Sequence, residues 1–131
     1  MYGLTVILIL KDLNFMHRFK NLDIWKRSVS LATRIYHVTS KFPDCEKFGL
    51  TAQIRRSVVS LGSNIAEGAG RGTNKDFQRF LNIAYGSSYE LETQLIISTN
   101  LKFISKSEKE ELCNEIDELQ KMIYTFSKNL G

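Results

Sequence analysis

Histidine and cysteine are scarce. Only His17, His37, Cys45 and Cys113 occur among the 131 residues. Neither histidine sits in an HExxH-like spacing, and the cysteines form no CxxC pair, so a zinc site, a disulfide framework and histidine-based hydrolysis are unsupported. The cysteines read as reduced thiols of a cytoplasmic protein. Proline occurs once, at Pro43, which leaves long stretches open to helix. Long apolar runs are also missing. The run Leu4 to Leu10 (LTVILIL) falls far short of the ~20 residues that span a bilayer. It has no preceding Lys or Arg and no small-residue cleavage site after it, so it is a poor signal peptide. Residues 1–15 are expected to be an N-terminal extension or the product of an upstream start, and residues 16–131 to form one domain.

Acidic residues are scarce in one half only. From Met16 to Arg79 there are 12 Lys and Arg against 5 Asp and Glu, a net +7. From Phe80 to Gly131 there are 5 against 8, a net −3. A first half of that sign suits a polyanion partner.

Strand-like alternation is absent after Met16, and four helical segments fill the chain. The first, from about Leu22 to Lys41, carries two apolar stripes about 100° apart. One is Leu22, Trp25, Val29, Ala32, Tyr36 and Thr39; the other is Ile24, Ser28, Leu31, Ile35 and Val38. One stripe is enough for a helix in an isolated bundle, so the second predicts a neighbouring copy. Phe42 and Pro43 end this helix. The second repeats Leu50, Ile54, Val58, Leu61 and Ile65 and ends at Gly68, Gly70 and Gly72, glycines suited to a left-handed cap and tight turn. Gly62 and Gly86 sit inside helical segments, where each costs about 1 kcal/mol against Ala, so close packing is expected to require them.

Thr73 or Asn74 is suited to cap the third helix, from about Lys75 to Leu101, with Phe77, Phe80, Leu81, Ala84, Ser88, Leu91, Leu95 and Ser98 inward. Ser105 with Glu108, or Ser107 with Glu110, forms a capping box for the fourth. Its Leu112, Ile116, Leu119, Ile123, Phe126 and Leu130 follow a coiled-coil seam. Short connections favour antiparallel neighbours, so the fold class is all-α: an antiparallel up-down-up-down four-helix bundle.

The stretch from Gln53 to Glu90 holds the candidate site. Arg55, Arg56, Arg71, Lys75 and Arg79 form a candidate nucleic-acid-binding set that would track phosphates. Arg55 and Arg56 are adjacent and point about 100° apart; one of them is expected to pair with Glu67 or Glu90. Asn64, Glu67 and Glu90 are polar within apolar helices and are expected to form a structural network fixing the register of the second and third helices. The run GAGRGTNK (Gly68 to Lys75) follows a helix and continues with Asp76, so it fails the P-loop pattern and reads as an interhelical turn. The acidic cluster Glu108, Glu110, Glu111, Glu115, Asp117 and Glu118 lacks the Glu-x-x-His pairs of a di-metal bundle. It reads as a solvated face. No catalytic residue, metal or cofactor is expected.

Three segments, FKNLDIWKRSVSLATRIYHVTSKFP, GLTAQIRRSVVSLGSNIAEGAGR and FLNIAYGSSYELETQL, together resemble the bacterial four-helix proteins known as 23S rRNA intervening-sequence proteins. The resemblance runs from Phe19 to about Lys128. It implies a small antiparallel bundle assembling as a cyclic homo-oligomer, a pentamer. Related members are accessory variability determinants of diversity-generating retroelements, in which a basic pentamer binds nucleic acid and a reverse transcriptase. The basic positions implied here are Arg55, Arg56, Arg71, Lys75 and Arg79. Gly62 departs from the pattern, which commonly has proline there. The expected task is non-enzymatic binding of RNA or DNA backbone, possible partners including a reverse transcriptase or another nucleic-acid enzyme, with no membrane role. The rival is a structural or protein-interaction scaffold whose charge is incidental.

Overall fold

A computed structural model describes residues 18–131; the expectations placed on residues 1–15, on Met16 and on His17 lie outside them. Four α-helices account for most of the described residues, and no strand occurs among these. They are α1 (Asp23–Thr39), α2 (Leu50–Ala69), α3 (Asn74–Asn100) and α4 (Lys106–Asn129). Short 3-10 turns at Phe19–Asn21 and Asp44–Glu46 precede α1 and α2. Each helix packs on the next in sequence, and α1 also packs on α4.

The helix starts follow local chemistry. Thr73 Oγ1 accepts from Asp76 N at 3.1 Å at the head of α3, and Ser105 Oγ accepts from Glu108 N at 3.0 Å at the head of α4. Each bond satisfies one of the donors a first turn leaves unpaired. Inward stripes then meet in one core. α2 contributes Ile54, Val58, Leu61 and Ile65, α3 contributes Leu81, Leu91 and Leu95, and α4 contributes Leu112, Ile116, Leu119 and Ile123. Each such side chain contributes about 1.5–3 kcal/mol on leaving water.

On α1 one stripe is covered and the other is buried only at Thr39. Ile24, Ser28, Leu31 and Ile35 are buried, whereas Val29 and Tyr36 remain exposed and Trp25 and Ala32 half-buried. With Val59 and Gly62 of α2 these four line an outward groove of about 350 Å³.

The glycines divide by role. At the turn, Gly72 adopts φ +87°, a conformation that L side chains rarely adopt. Gly68 lies within α2, where an added Cβ would stand 2.8 Å from Phe80 Cβ and 3.0 Å from Phe77 Cδ1. There the α2 backbone abuts the aromatic side chains of α3. Two expectations about glycine need correction. Around Gly62 a Cβ would find ordinary contacts of 3.6–3.9 Å, and around Gly86 nothing within 4 Å. Packing within the chain requires neither, because Gly86 faces outward and the α1–α2 crossing leaves room at Gly62.

Candidate functional site

Most of the acidic helix is matched from within. Arg27 Nε and Nη2 donate to the two carboxylate oxygens of Glu115 at 2.9 Å each, and Nη2 also donates to Glu118 at 2.6 Å. These bonds push the Arg27 guanidinium further into its charged form. Arg34 pairs with Glu111 at 2.6 Å. The α1–α4 seam thus absorbs two first-half cations and three second-half carboxylates. Asp117 pairs locally with Lys121 at 3.3 Å.

Of the five candidate cations, Arg55 is held by α1. Its Nε donates to Thr39 Oγ1 at 2.9 Å and its Nη2 to the Tyr36 carbonyl at 3.3 Å, while the guanidinium lies 4.5 Å from the Tyr36 ring centre. It therefore caps the carboxyl end of α1, where the helix dipole favours a cation. The expected pairing with Glu67 or Glu90 does not form, because Arg55 faces α1 and those glutamates do not. Arg56, one residue on, is exposed and has no ion pair or hydrogen bond among the described residues. At the α2–α3 turn, Arg71 pairs with Glu67 at 2.8 Å and Arg79 approaches Asp76 at 3.8 Å. Both guanidiniums lie on the Phe80 ring, at 4.9 and 4.8 Å. Lys75 is exposed in the first turn of α3.

The five residues consequently occupy two places. Arg56 lies 13 residues before the end of α2 at Ala69, about 20 Å at 1.5 Å per residue, and Arg71 follows in the turn beyond. Arg71 and Arg79 gather around Phe80, with Lys75 on the same turn of the chain. Arg55 and Arg56 lie on the part of α2 nearest the α1–α2 turn.

Asn64, Glu67 and Glu90 are not brought together as one network. Asn64 Nδ2 donates to the Ser60 carbonyl and to Ser60 Oγ, both at 2.8 Å, and Ser60 Oγ shares a hydrogen bond with Ser87 Oγ of α3 at 2.9 Å. The polar link from α2 to α3 is therefore Asn64–Ser60–Ser87. Glu67 and Glu90 are exposed. Glu67 engages Arg71, and Glu90 Oε1 accepts only a long bond from Gln94 Nε2 at 3.4 Å. Glu67 lies seven residues on from Ser60, about 20° away around α2, but close to the end of that helix, where it is exposed and pairs with Arg71 one turn further on instead of reaching Asn64.

The residue missed most plainly in sequence is Phe48. Its side chain is 90% exposed, beside Lys47, in the turn entering α2. An aromatic just outside a helical segment carries no periodicity, and only its place directly after Lys47 marked it. Among the described residues no three His, Cys, Asp or Glu side chains are placed to hold a metal ion, and no helix is long and apolar enough to cross a membrane.

Residues 20–125 match the sequence profile of the 23S rRNA-intervening sequence proteins. The chain belongs to that family. Its fold is similar to that of a protein of unknown function from the S23 ribosomal protein family of Bacteroides thetaiotaomicron VPI-5482, known from a crystal structure at 1.70 Å resolution. The two share 28% identity with a TM-score of 0.75, over 80% of this chain and 95% of that one. No curated protein matches the chain.

Proposed function

We propose that this family member is a non-enzymatic, cytoplasmic nucleic-acid-binding protein that contacts RNA or DNA backbone through exposed cations. In this reading the helices run up-down-up-down and the chain assembles as a cyclic homo-oligomer, a pentamer by its family resemblance. It would act as an accessory to an RNA-processing or reverse-transcribing enzyme.

One observation carries the reading. The acidic helix commits three carboxylates to Arg27 and Arg34, while Arg56 and Lys75 stand exposed with no carboxylate partner among the described residues. Arg71 and Arg79 pair only with near neighbours on the surface, with about half or more of each side chain in water. Such pairs contribute little and exchange readily for phosphate. Two cationic clusters repeated around a ring would bind by avidity without reading bases.

The test is titration of labelled structured RNA and duplex DNA over a salt series, with the mass of the protein followed alongside. Backbone binding predicts a log affinity that falls linearly with log salt, and a slope reduced by about one on neutralising each phosphate-contacting cation, as in Arg56→Gln or Lys75→Gln. Absence of binding at low salt would sink the reading. A second reading, a protein-interaction scaffold, is favoured by the apolar surface: Val29, Val59, Ile83, Ile96, Ile97 and Leu101 are each more than two-fifths exposed. A complex insensitive to salt would point to it.

A further inference from the structure

The turn between α1 and α2 presents Phe48 to water and keeps it there. Glu46 Oε2 accepts from Leu50 N at 2.8 Å, and the Gly49 N–H donates to the Glu46 carbonyl at 3.0 Å. The turn is thereby tied across the phenylalanine, from Glu46 to Gly49 and Leu50. Leaving a phenyl ring in water forfeits the gain of burying it. Next to it lies a shallow depression of about 430 Å³, walled by Tyr36, Val59 and Phe48 and edged by Lys47, Arg55 and Arg56.

The charges there are of one sign at the walls. Lys47 Nζ stands 5.6 Å from the Phe48 ring centre, and Arg55 lies flat against Tyr36. Glu46 is turned to the backbone of α2, and Asp44 is exposed at the first position of the same 3-10 turn. An aromatic face with cations on its flanks suits one class of ligand. Unpaired nucleotides offer a flat base to stack and a phosphate on each side, whereas a duplex keeps its bases stacked inside. A neighbouring copy seated on the α1–α2 groove would share Tyr36 and Val59 with this depression but not Lys47, Phe48, Arg55 or Arg56, which do not line that groove.

We propose that this depression is a stacking subsite for single-stranded nucleic acid. Phe48 is the platform for one unpaired base, Lys47 and Arg56 contact the flanking phosphates, and Arg55 positions the Tyr36 wall. The proposal rests on the nucleic-acid reading above and narrows it to unpaired segments, at a place distinct from the Arg71–Arg79 cluster.

The experiment titrates the full chain, as wild type, Phe48→Ala and Phe48→Trp, with labelled oligouridine, oligothymidine and a duplex of equal length. Loss of one stacked base predicts that Phe48→Ala weakens single-strand binding by roughly fivefold or more, leaves duplex binding unchanged, and is rescued by Phe48→Trp. A preference between the two single strands would assign RNA or DNA. Because the ring is exposed, the thermal melt of Phe48→Ala should match wild type. Equal single-strand binding by wild type and Phe48→Ala would overturn the stacking subsite while leaving backbone binding intact. No binding of any strand at low salt would overturn both. A changed mass of unliganded Phe48→Ala would make Phe48 a contact between protein molecules and would also overturn the proposal.

Discussion

Two glycines inside helices should respond to alanine with opposite signs. At Gly68 the new methyl would sit 2.8 Å from Phe80 Cβ, 3.0 Å from Phe77 Cδ1 and 3.3 Å from the Phe77 carbonyl oxygen. Carbon atoms rest at about 3.5–4.0 Å, so α2 and α3 must move apart by several tenths of an ångström. Phe80 Cβ is not the far end of a flexible side chain, and both rings are buried. Overpacking of this kind costs about 1–3 kcal/mol, and three simultaneous clashes argue for the upper end. Alanine returns about 1 kcal/mol of helix propensity, leaving Gly68→Ala about 2 kcal/mol less stable. Gly86 meets nothing within 4 Å, so Gly86→Ala keeps the propensity gain alone and is stabilised by about 0.5–1 kcal/mol. Urea unfolding at matched protein concentration reads both, since assembly makes apparent stability concentration-dependent. The reasoning fails if Gly68→Ala is as stable as wild type, or if the two variants lose equally.

Arg55→Ala should destabilise the fold by about 1–2 kcal/mol through its lost bonds to Thr39 and Tyr36, while Arg56→Ala stays within about 0.5 kcal/mol. Equal melting temperatures for the two would refute the capping role of Arg55. Arg27→Met is expected to cost about 1 kcal/mol, a modest loss because a third of its side chain is in water. A double-mutant cycle with Glu115→Gln should return a coupling of about 0.5–1 kcal/mol, and a coupling near zero would show the pair idle. Cys45 should react with N-ethylmaleimide ahead of Cys113, whose thiol is pushed up by burial and so holds less thiolate at neutral pH. Peptide mass spectrometry that found equal rates would contradict the burial of Cys113.

Much of the fold was legible because helix faces repeat at a fixed period. Every inward residue expected of α3, from Phe77 to Ser98, is buried, and so are Leu112, Ile116, Leu119 and Ile123 of α4. The caps at Thr73 and Ser105 were legible for the same local reason: a hydroxyl three residues ahead of a helical N–H needs no tertiary partner. The candidate site was less legible. Arg55 and Arg56 look alike in sequence, yet one is fixed on α1 and the other is exposed; the 100° between them mattered only once α1 had a position. Glu67 and Glu90 were expected inside with Asn64, but the α2–α3 crossing put Ser60 and Ser87 at the contact instead.

The sequence by itself determined the all-α class, the helix limits to within a few residues, the core stripes and the family, because each rests on local periodicity or on matching residue patterns. Only the tertiary structure decided which apolar stripe of α1 faces inward, which cations the acidic helix takes up, that the basic candidates form two clusters, and that Phe48 is left in water. Those outcomes depend on the rotation and register of one helix against another. Contacts far apart in the chain set both, and no local pattern records them.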